Sequence, residues 1–384
     1  METKEDEVDY LSLLPLEIWH QILLEVYPPI ASVDPNSPFI PMTIMLILYI
    51  QKMRASLRLV CRKLEPIALE VLFREIIVSD RAPRWKRLLD TFEAGNPTTS
   101  LPLSRTTGAL ICLPWRSSLE DNAYNWLCKL REYCPRIKRI TVFGRNKDAS
   151  NERVEWLSGV ESVFYSASFL DSKFLQNLSI HNPSLHTLIL CVDYLVLKKP
   201  VTFPCVTNVF LSFAERDGLS NFIFPRIRWL GISLSRRDPA SCLGFFRTNG
   251  LNLDYLELIR TEYAPVPIIA RELAGLTAEI LNLCPRLAVL KVDARVIDDT
   301  KPRLFTLPAH TLILKADDVL SAEIALRWWL FDSGGQVPVG FRKVDLKLRK
   351  YKDFDKDHIA IGMLSKSESC CLDLGATFVT EYIL

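Results

Sequence analysis

A short phrase of apolar residues recurs along most of the chain. It has the form apolar-x-x-apolar-x-apolar, and the alternation at its end is typical of one face of a β-strand. Its seven clearest copies have their middle apolar residues at Ile140, Val163, Leu188, Val209, Leu230, Leu256 and Leu290. Successive gaps are 23, 25, 21, 21, 26 and 34 residues, mostly within the period of about 20–29 residues of repeats that supply one strand each. The pattern therefore predicts a parallel sheet with one strand per repeat.

Weaker copies of the phrase extend the pattern at both ends, at residues 75–78, 109–113, 312–314 and 344–346. Five copies are preceded by a proline, namely Pro135, Pro183, Pro204, Pro225 and Pro285. The segments between phrases have helical spacing, as at 169–178, at 268–283 and after Asp238-Pro239. Alternating strands and helices predict an α/β solenoid. An ordinary α/β domain with buried parallel strands is the alternative.

The first 74 residues have a different, helical pattern. Residues 14–26 predict an amphipathic helix, because Ile18, Ile22 and Val26 recur every four residues and Pro15 suits the first helical position. A second helix is predicted over 43–63 and a third from Pro66. On periodicity alone these helices can also be a lid that packs on the next domain.

The identities of these residues resemble the F-box family. Leu14-Pro15-Leu16-Glu17-Ile18 matches the family's opening Leu-Pro-x-Glu-Ile, and Leu59-Val60-Cys61-Arg62 matches its Leu-Val-Cys-Arg core, in the family's order. The resemblance covers about residues 11–74. The stretch between the two halves is longer than the family norm and contains a Pro-rich loop and the apolar run 40–50.

This resemblance implies a partner, since F-box modules bind a Skp-type adaptor that links them to a cullin-based ubiquitin ligase. Carried over by position, the adaptor-binding residues are Leu14, Pro15, Ile18, Ile22, Leu23, Leu57, Val60 and Cys61. A helix that presents apolar anchors to a groove is a common recognition mode.

The repeats resemble the irregular leucine-rich repeats that often follow F-boxes, although their spacing is loose and the characteristic Asn column is missing. The predicted domains are an acidic tail at 1–10, an F-box-like helical module at 11–74 with an insertion at 28–52, and a leucine-rich-repeat-like α/β domain at 75–384. The predicted fold class is α/β, with a helical module before a solenoid that has a parallel sheet.

The residues between the last two anchors of each phrase predict a binding surface. Because strand side chains alternate, these residues face away from the buried anchors. This column contains Phe164 and Phe210, and the neighbouring column, just before the middle anchor, contains Trp229 and Tyr255. We predict that these four aromatic residues contact a target protein, with Glu257 and Lys291 at the polar rim. The alternative is that residues 378–384, or the loop after Tyr263, cover these aromatic side chains.

Charge and cysteine content limit the function classes. The formal net charge is +2, which gives no field that favours nucleic acid or an anionic membrane. The ten cysteines are scattered and the N-terminus is acidic rather than basic, so we expect reduced cysteines, no secretory signal and a cytoplasmic or nuclear location. The run at 40–50 is too short to span a bilayer.

No catalytic constellation, cofactor motif or metal-ligand spacing stands out. The chain has no phosphate-binding glycine loop and no Cys-x-x-Cys pair. A metal shared by His181 and His186, or nucleic acid at the basic residues near Trp85, is less favoured than a structural interpretation. We therefore expect a non-catalytic substrate receptor of an SCF-type ubiquitin ligase that needs no cofactor. The alternatives are a repeat scaffold without ligase assembly and an enzyme with a dispersed site.

Overall fold

The computed structural model divides the chain into two compact units. Unit 1 comprises Met1–Arg145 and Glu155–Phe164, and unit 2 comprises Asn146–Val154 and Tyr165–Leu384. The described residues are 15–26, 48–53, 55–56, 65–78, 87–90, 92, 107–112, 121–148, 154–234, 239–260, 276–277, 279–294, 309–327, 341–349 and 358–383. Of the predicted docking residues, Leu14, Leu57, Val60 and Cys61 lie outside these ranges.

Unit 1 combines helices with short parallel strands. Its helices are α1 (Leu16–Val26), α2 (Glu65–Phe73) and α3 (Asp121–Tyr133), and residues 48–53 and 55–56 are also helical. Its strands are β1 (Glu75–Val78), β2 (Ala109–Cys112) and most of β3 (Arg139–Asp148), while β4 (Ser162–Asp171) crosses the unit boundary. β1 pairs with β2, and β2 with β3, all in parallel. The weak phrase at 75–78 is thus confirmed as a strand, as is the phrase at 109–113 over its described residues 109–112.

Unit 2 alternates strands with helices or short turns. Its strands are β5 (Thr187–Val196), β6 (Val201–Thr202), β7 (Asn208–Asp217), β8 (Phe222–Ile223), β9 (Trp229–Leu234), β10 (Tyr255–Arg260), β11 (Val289–Asp293), β12 (Thr311–Ala316), β13 (Lys343–Arg349) and β14 (Thr377–Ile383). Its helices are α4 (Ser172–His181), α5 (Pro239–Asn249), α6 (Val319–Leu326) and α7 (His358–Asp373).

The long strands of unit 2 form a parallel sheet in chain order. β5, β7, β9, β10, β11, β12, β13 and β14 are successive hydrogen-bonded neighbours, while β6 and β8 form a separate two-stranded ladder. A doubly wound α/β sheet reverses its strand order at a switch point. This sheet does not reverse, so its topology is that of stacked repeats rather than of an ordinary α/β domain.

The core of unit 2 is made by two anchor columns. Leu188 and Leu190 on β5 are in register with Val209 and Leu211 on β7, and all four are fully buried. The same columns stay at 0% exposure through β13, in Leu230, Ile232, Leu256, Leu258, Leu290, Val292, Leu312, Leu314, Val344 and Leu346. Full burial of such side chains contributes roughly 1.5–3 kcal/mol each. The repeated phrase is therefore the core-forming unit of the fold.

The prolines that precede the phrases lie in tight turns. The N–H of Ile137 donates to the carbonyl of Cys134 at 3.2 Å, closing a turn with Pro135 in second position, and the N–H of Leu185 closes a like turn around Pro183 at 3.1 Å. Proline suits that position because its fixed φ matches the turn. The proline thus ends each connection and directs the chain into the next strand.

Two predicted helices have different limits in the structure. β4 continues to Asp171, whose carboxylate accepts the N–H of Phe174 at 2.9 Å and caps α4, so the helix predicted from residue 169 begins at Ser172. The cap sets this boundary because the apolar residues alone suit either a strand or a helix. The helix predicted over 268–283 is described at 276–277 and 279–282.

The described helices do not include a membrane-spanning one: none combines the length and the hydropathy that crossing a bilayer requires.

Candidate protein-interaction surfaces

The unit 2 sheet has one face that is only partly covered, which we call the open face. It carries the residues that alternate with the buried anchors, and most of them are half-buried or exposed. In register across five strands lie Ile189, Phe210, Gly231, Glu257 and Lys291. The predicted alternation is therefore confirmed for these strands.

Three aromatic side chains stack across neighbouring strands of the open face. The ring centroids of Trp229 and Tyr255 are 5.3 Å apart with an interplanar angle of 19°, and those of Phe210 and Trp229 are 6.5 Å apart. Trp229 and Tyr255 are half-buried, whereas Phe210 is only 4% exposed. The structure therefore brings three of the predicted target-binding residues together, and it differs from the prediction in leaving little of Phe210 for a partner.

Gly231 makes room for this aromatic stack. A Cβ atom at this position would overlap Cδ2 of Phe210 and would lie 3.1 Å from Cη2 of Trp229. The rings therefore occupy the space that a side chain on β9 would fill. The repeat pattern places Gly231 between the anchors Leu230 and Ile232 but does not predict this role.

An ion pair lies beside the aromatic stack. Nζ of Lys291 is 2.7 Å from Oε1 of Glu257, and their side chains are 30% and 10% exposed. Burial, and secondarily the nearby Glu257 carboxylate, raises the pKa of Tyr255 well above its usual range. Glu257 is thus more buried than the polar rim position predicted for it, because Lys291 and its neighbours cover it.

A second charged group on the open face was not predicted. Lys343 and Lys347 both lie 3.5 Å from the carboxylate of Asp345, and Lys347 also pairs with Glu381 on β14. The sequence signal was present, since charged and apolar residues alternate strictly from Lys343 to Arg349. That alternation is typical of a strand with one exposed face.

Residues 378–383 do not cover the aromatic side chains, and Leu384 lies outside the described residues. Residues up to Ile383 form β14, which pairs in parallel with β13 and extends the sheet. This part of the predicted alternative is wrong, because the segment continues the repeat pattern. The loop after Tyr263 lies outside the described residues.

Phe164 belongs to unit 1, whereas the three stacked aromatic residues belong to unit 2. It is 4% exposed and packs on Phe143, with ring centroids 5.2 Å apart. Because Phe164 is buried, it offers little surface that a target protein could contact. Its contribution to target binding remains a prediction.

The helix α1 presents part of its apolar stripe to solvent. Ile18 and Val26 are 39% and 60% exposed, Ile22 is half-buried, and Leu23 is only 7% exposed. The helix packs against α2. Pro15 lies just before the helix rather than within it, and its carbonyl accepts the N–H groups of Ile18 and Trp19.

The chemistry of the buried cysteines disfavours a thiol nucleophile at their positions. Burial raises the pKa of the Cys134 thiol to about 11 and those of the Cys284 and Cys371 thiols to about 12. These thiols stay protonated at neutral pH, and the thiolate is the reactive form. Within the described residues no group of three His, Cys, Asp or Glu side chains is arranged to hold a metal ion. His186 has Nδ1 3.2 Å from the carbonyl oxygen of Cys205, as a structural histidine would.

No protein-family model and no curated protein matches the chain. Among solved structures, it is similar to a chain described as "Crystal structure of TLR13-ssRNA13 complex", at 12% sequence identity and a TM-score of 0.38. The similarity covers 80% of this chain and 38% of the other, so this chain spans well under half of that protein's length. A similarity at this level establishes neither fold nor function. The repeat architecture rests on the strand order and the buried columns.

Proposed function

We propose that the protein is the substrate-receptor subunit of a cullin-based ubiquitin ligase. In this function α1 and the segment around Leu57–Cys61 bind a Skp-type adaptor, and the open face of unit 2 binds a target protein. The observation that carries the proposal is the paired F-box motif, whose first half lies on a helix with exposed apolar residues.

The exposure of α1 supports the adaptor-binding half of the proposal. A helix that only capped the next domain would bury its apolar stripe against that domain. Instead Ile18 and Val26, eight residues apart on the same stripe, remain exposed while Leu23 packs inward. One side of the helix thus packs within its own unit. The apolar side chains that remain exposed can bind a groove on a partner.

The open face supports the target-binding half. Stacked repeats expose an extended row of strand side chains, which is the surface that such proteins use for binding. The half-buried Trp229 and Tyr255 are of the aromatic types that are enriched in interface hot spots, and the Glu257–Lys291 ion pair lies beside them.

A receptor of this kind contributes to the reaction by holding the target near the enzyme that carries ubiquitin. Tethering replaces a bimolecular encounter with an effective concentration in the millimolar range for short linkages. Catalytic residues in this chain are not required for that effect. A repeat scaffold without ligase assembly is the second candidate, because the open face alone serves both functions.

Affinity capture of the full chain from cells with the proteasome blocked separates the two candidates. A ligase receptor brings down the Skp-type adaptor, a cullin and a target that accumulates in ubiquitinated form. Capture of a target with neither adaptor nor cullin would favour the scaffold and contradict the proposal.

A further inference from the structure

The core side of β14, the last described strand of the unit 2 sheet, is only partly covered. Leu346 and Leu348 on β13 are fully buried, and their register partners on β14 are Thr380 and Tyr382. Thr380 is half-buried and Tyr382 is 43% exposed, while Phe378 in the same row is half-buried. Among the described strands, the order of the sheet ends at β14. The core-side row is thus only partly covered on β14, whereas the same columns are fully buried on β13.

The backbone of β14 also presents hydrogen-bonding groups at the edge. The N–H of Thr377 donates to the carbonyl of Arg342 at 2.9 Å, on the side toward β13. Since successive residues of a strand direct these groups to opposite sides, Phe378, Thr380 and Tyr382 direct theirs outward. Edge strands are usually protected by lysine or proline. β14 contains neither, and its single charged residue, Glu381, pairs with Lys347 on the open face.

The sequence of β14 is nearly symmetric about Thr380. Residues 378–382 are Phe-Val-Thr-Glu-Tyr. An aromatic residue stands at each end, an open-face residue comes next on each side, and threonine is in the middle. Antiparallel pairing of two such strands, centred on Thr380, places Phe378 opposite Tyr382 of a second copy. On the open face it places Val379 opposite Glu381, so no like charges meet.

We infer that the protein forms a two-fold symmetric dimer by antiparallel pairing of β14 with β14 of a second copy. In this register, residues whose backbone N–H and C=O groups point outward lie opposite each other. Both strands therefore donate and accept hydrogen bonds across the new edge. The two Phe378–Tyr382 pairs cover the exposed part of the core-side row. Tyr382 also makes a contact within its own chain, and 43% of it remains exposed for this pairing. A self-complementary patch gives a closed dimer rather than a fibre. This inference does not depend on the proposed function.

The first test uses the full chain and its mass in solution by light scattering over a concentration series. The native chain gives twice the single-chain mass of 43.9 kDa as concentration rises. Thr380→Pro removes an outward N–H, which an edge strand tolerates, and gives the single-chain mass at an unchanged melting temperature. Thr380→Val keeps the N–H and stays dimeric. A native chain that keeps the single-chain mass throughout, or a Thr380→Pro dimer, would overturn the inference.

The second test reads the register and stays valid if Thr380→Pro fails to fold. Val379 is an exposed open-face residue, so changing it leaves the core intact. Val379→Lys places a cation opposite Glu381 of the second copy and tightens the dimer, whereas Val379→Glu weakens it. Two symmetric charge pairs give a change of roughly 2- to 30-fold in the dimer dissociation constant at low salt. Changes in the same direction for both variants would overturn the proposed pairing.

Discussion

Trp229 and Tyr255 lie at paired register positions on neighbouring parallel strands and stack with a 5.3 Å separation of their ring centroids. Both rings are half-buried, so each has one part inside the stack and one part toward solvent. Phe210 continues the stack on the other side of Trp229 but is almost fully covered. This difference in exposure separates residues available to a partner from residues that hold the surface together.

Trp229→Ala and Phe210→Ala are therefore expected to differ in effect. Loss of Trp229 removes an exposed aromatic anchor and weakens target capture by about 30-fold, the size of an interface hot spot of about 2 kcal/mol. Loss of Phe210 lowers the free energy of unfolding by about 3–5 kcal/mol, because it opens a cavity. Quantitative capture and thermal melting of each variant measure the two effects. Equal melting losses with unchanged capture would show that both side chains are structural.

Gly231→Ala is expected to disrupt the aromatic stack without removing any aromatic side chain. The new methyl group overlaps Phe210 and crowds Trp229, which costs about 1–3 kcal/mol of stability. Near-ultraviolet circular dichroism should show altered tryptophan packing. Gly108→Ala is the control, since a Cβ there has no atom within 4 Å. An unchanged spectrum for Gly231→Ala would contradict the packing described for these rings.

Lys291→Met is expected to destabilise the fold because it leaves the Glu257 carboxylate covered and without its cation. The Glu257 side chain is only 10% exposed, so the loss should be about 1–3 kcal/mol in chemical unfolding. Adding Glu257→Met to the Lys291→Met variant should restore part of the lost stability, because it removes the unpaired carboxylate. Lys138→Met breaks an exposed pair with Glu161 and should cost less than about 1 kcal/mol. Equal losses for the two single variants would refute the distinction.

Stability should fall in alkaline solution. The pKa of Cys284 and that of Cys371 are raised by burial from 9.0 to about 12, so these thiols stay protonated in the folded state. The unfolded chain releases their protons above about pH 9, which favours unfolding as pH rises. Between about pH 7.5 and pH 9.5, under reducing conditions, each thiol should cost about 1 kcal/mol. Cys284→Ala should reduce that pH dependence in urea titrations, and an unchanged slope would contradict its burial.

The strands were the most predictable part of the fold. Two alternating anchors in each phrase must both be buried, so the phrase fixes strand position and side-chain direction together, as Leu188 and Leu190 illustrate. Helix boundaries were less predictable, because an apolar run such as the one before Asp171 suits either element until the cap decides.

The composition of the aromatic surface was predicted, but its degree of exposure was not. Alternation places Phe210 and Trp229 on the open face, yet only the empty space at Gly231 allows Phe210 to settle beneath its neighbours. That relationship joins two strands and depends on ring conformations, which periodicity does not encode. The symmetry of β14 about Thr380 was visible in the sequence, but its meaning depends on the position of β14 at the sheet edge.

Binding of purified Skp-type adaptor to the full chain tests the central claim most directly. Ile18→Asp places a carboxylate on the exposed stripe of α1, and Gln21→Asp places the same carboxylate on an exposed polar position just outside that stripe. Burying an unpaired carboxylate in an apolar groove costs several kcal/mol. We expect the native chain and Gln21→Asp to bind adaptor alike, and Ile18→Asp to lose binding while its melting temperature holds. Adaptor binding by folded Ile18→Asp at the native level, or none by the native chain, would contradict the account.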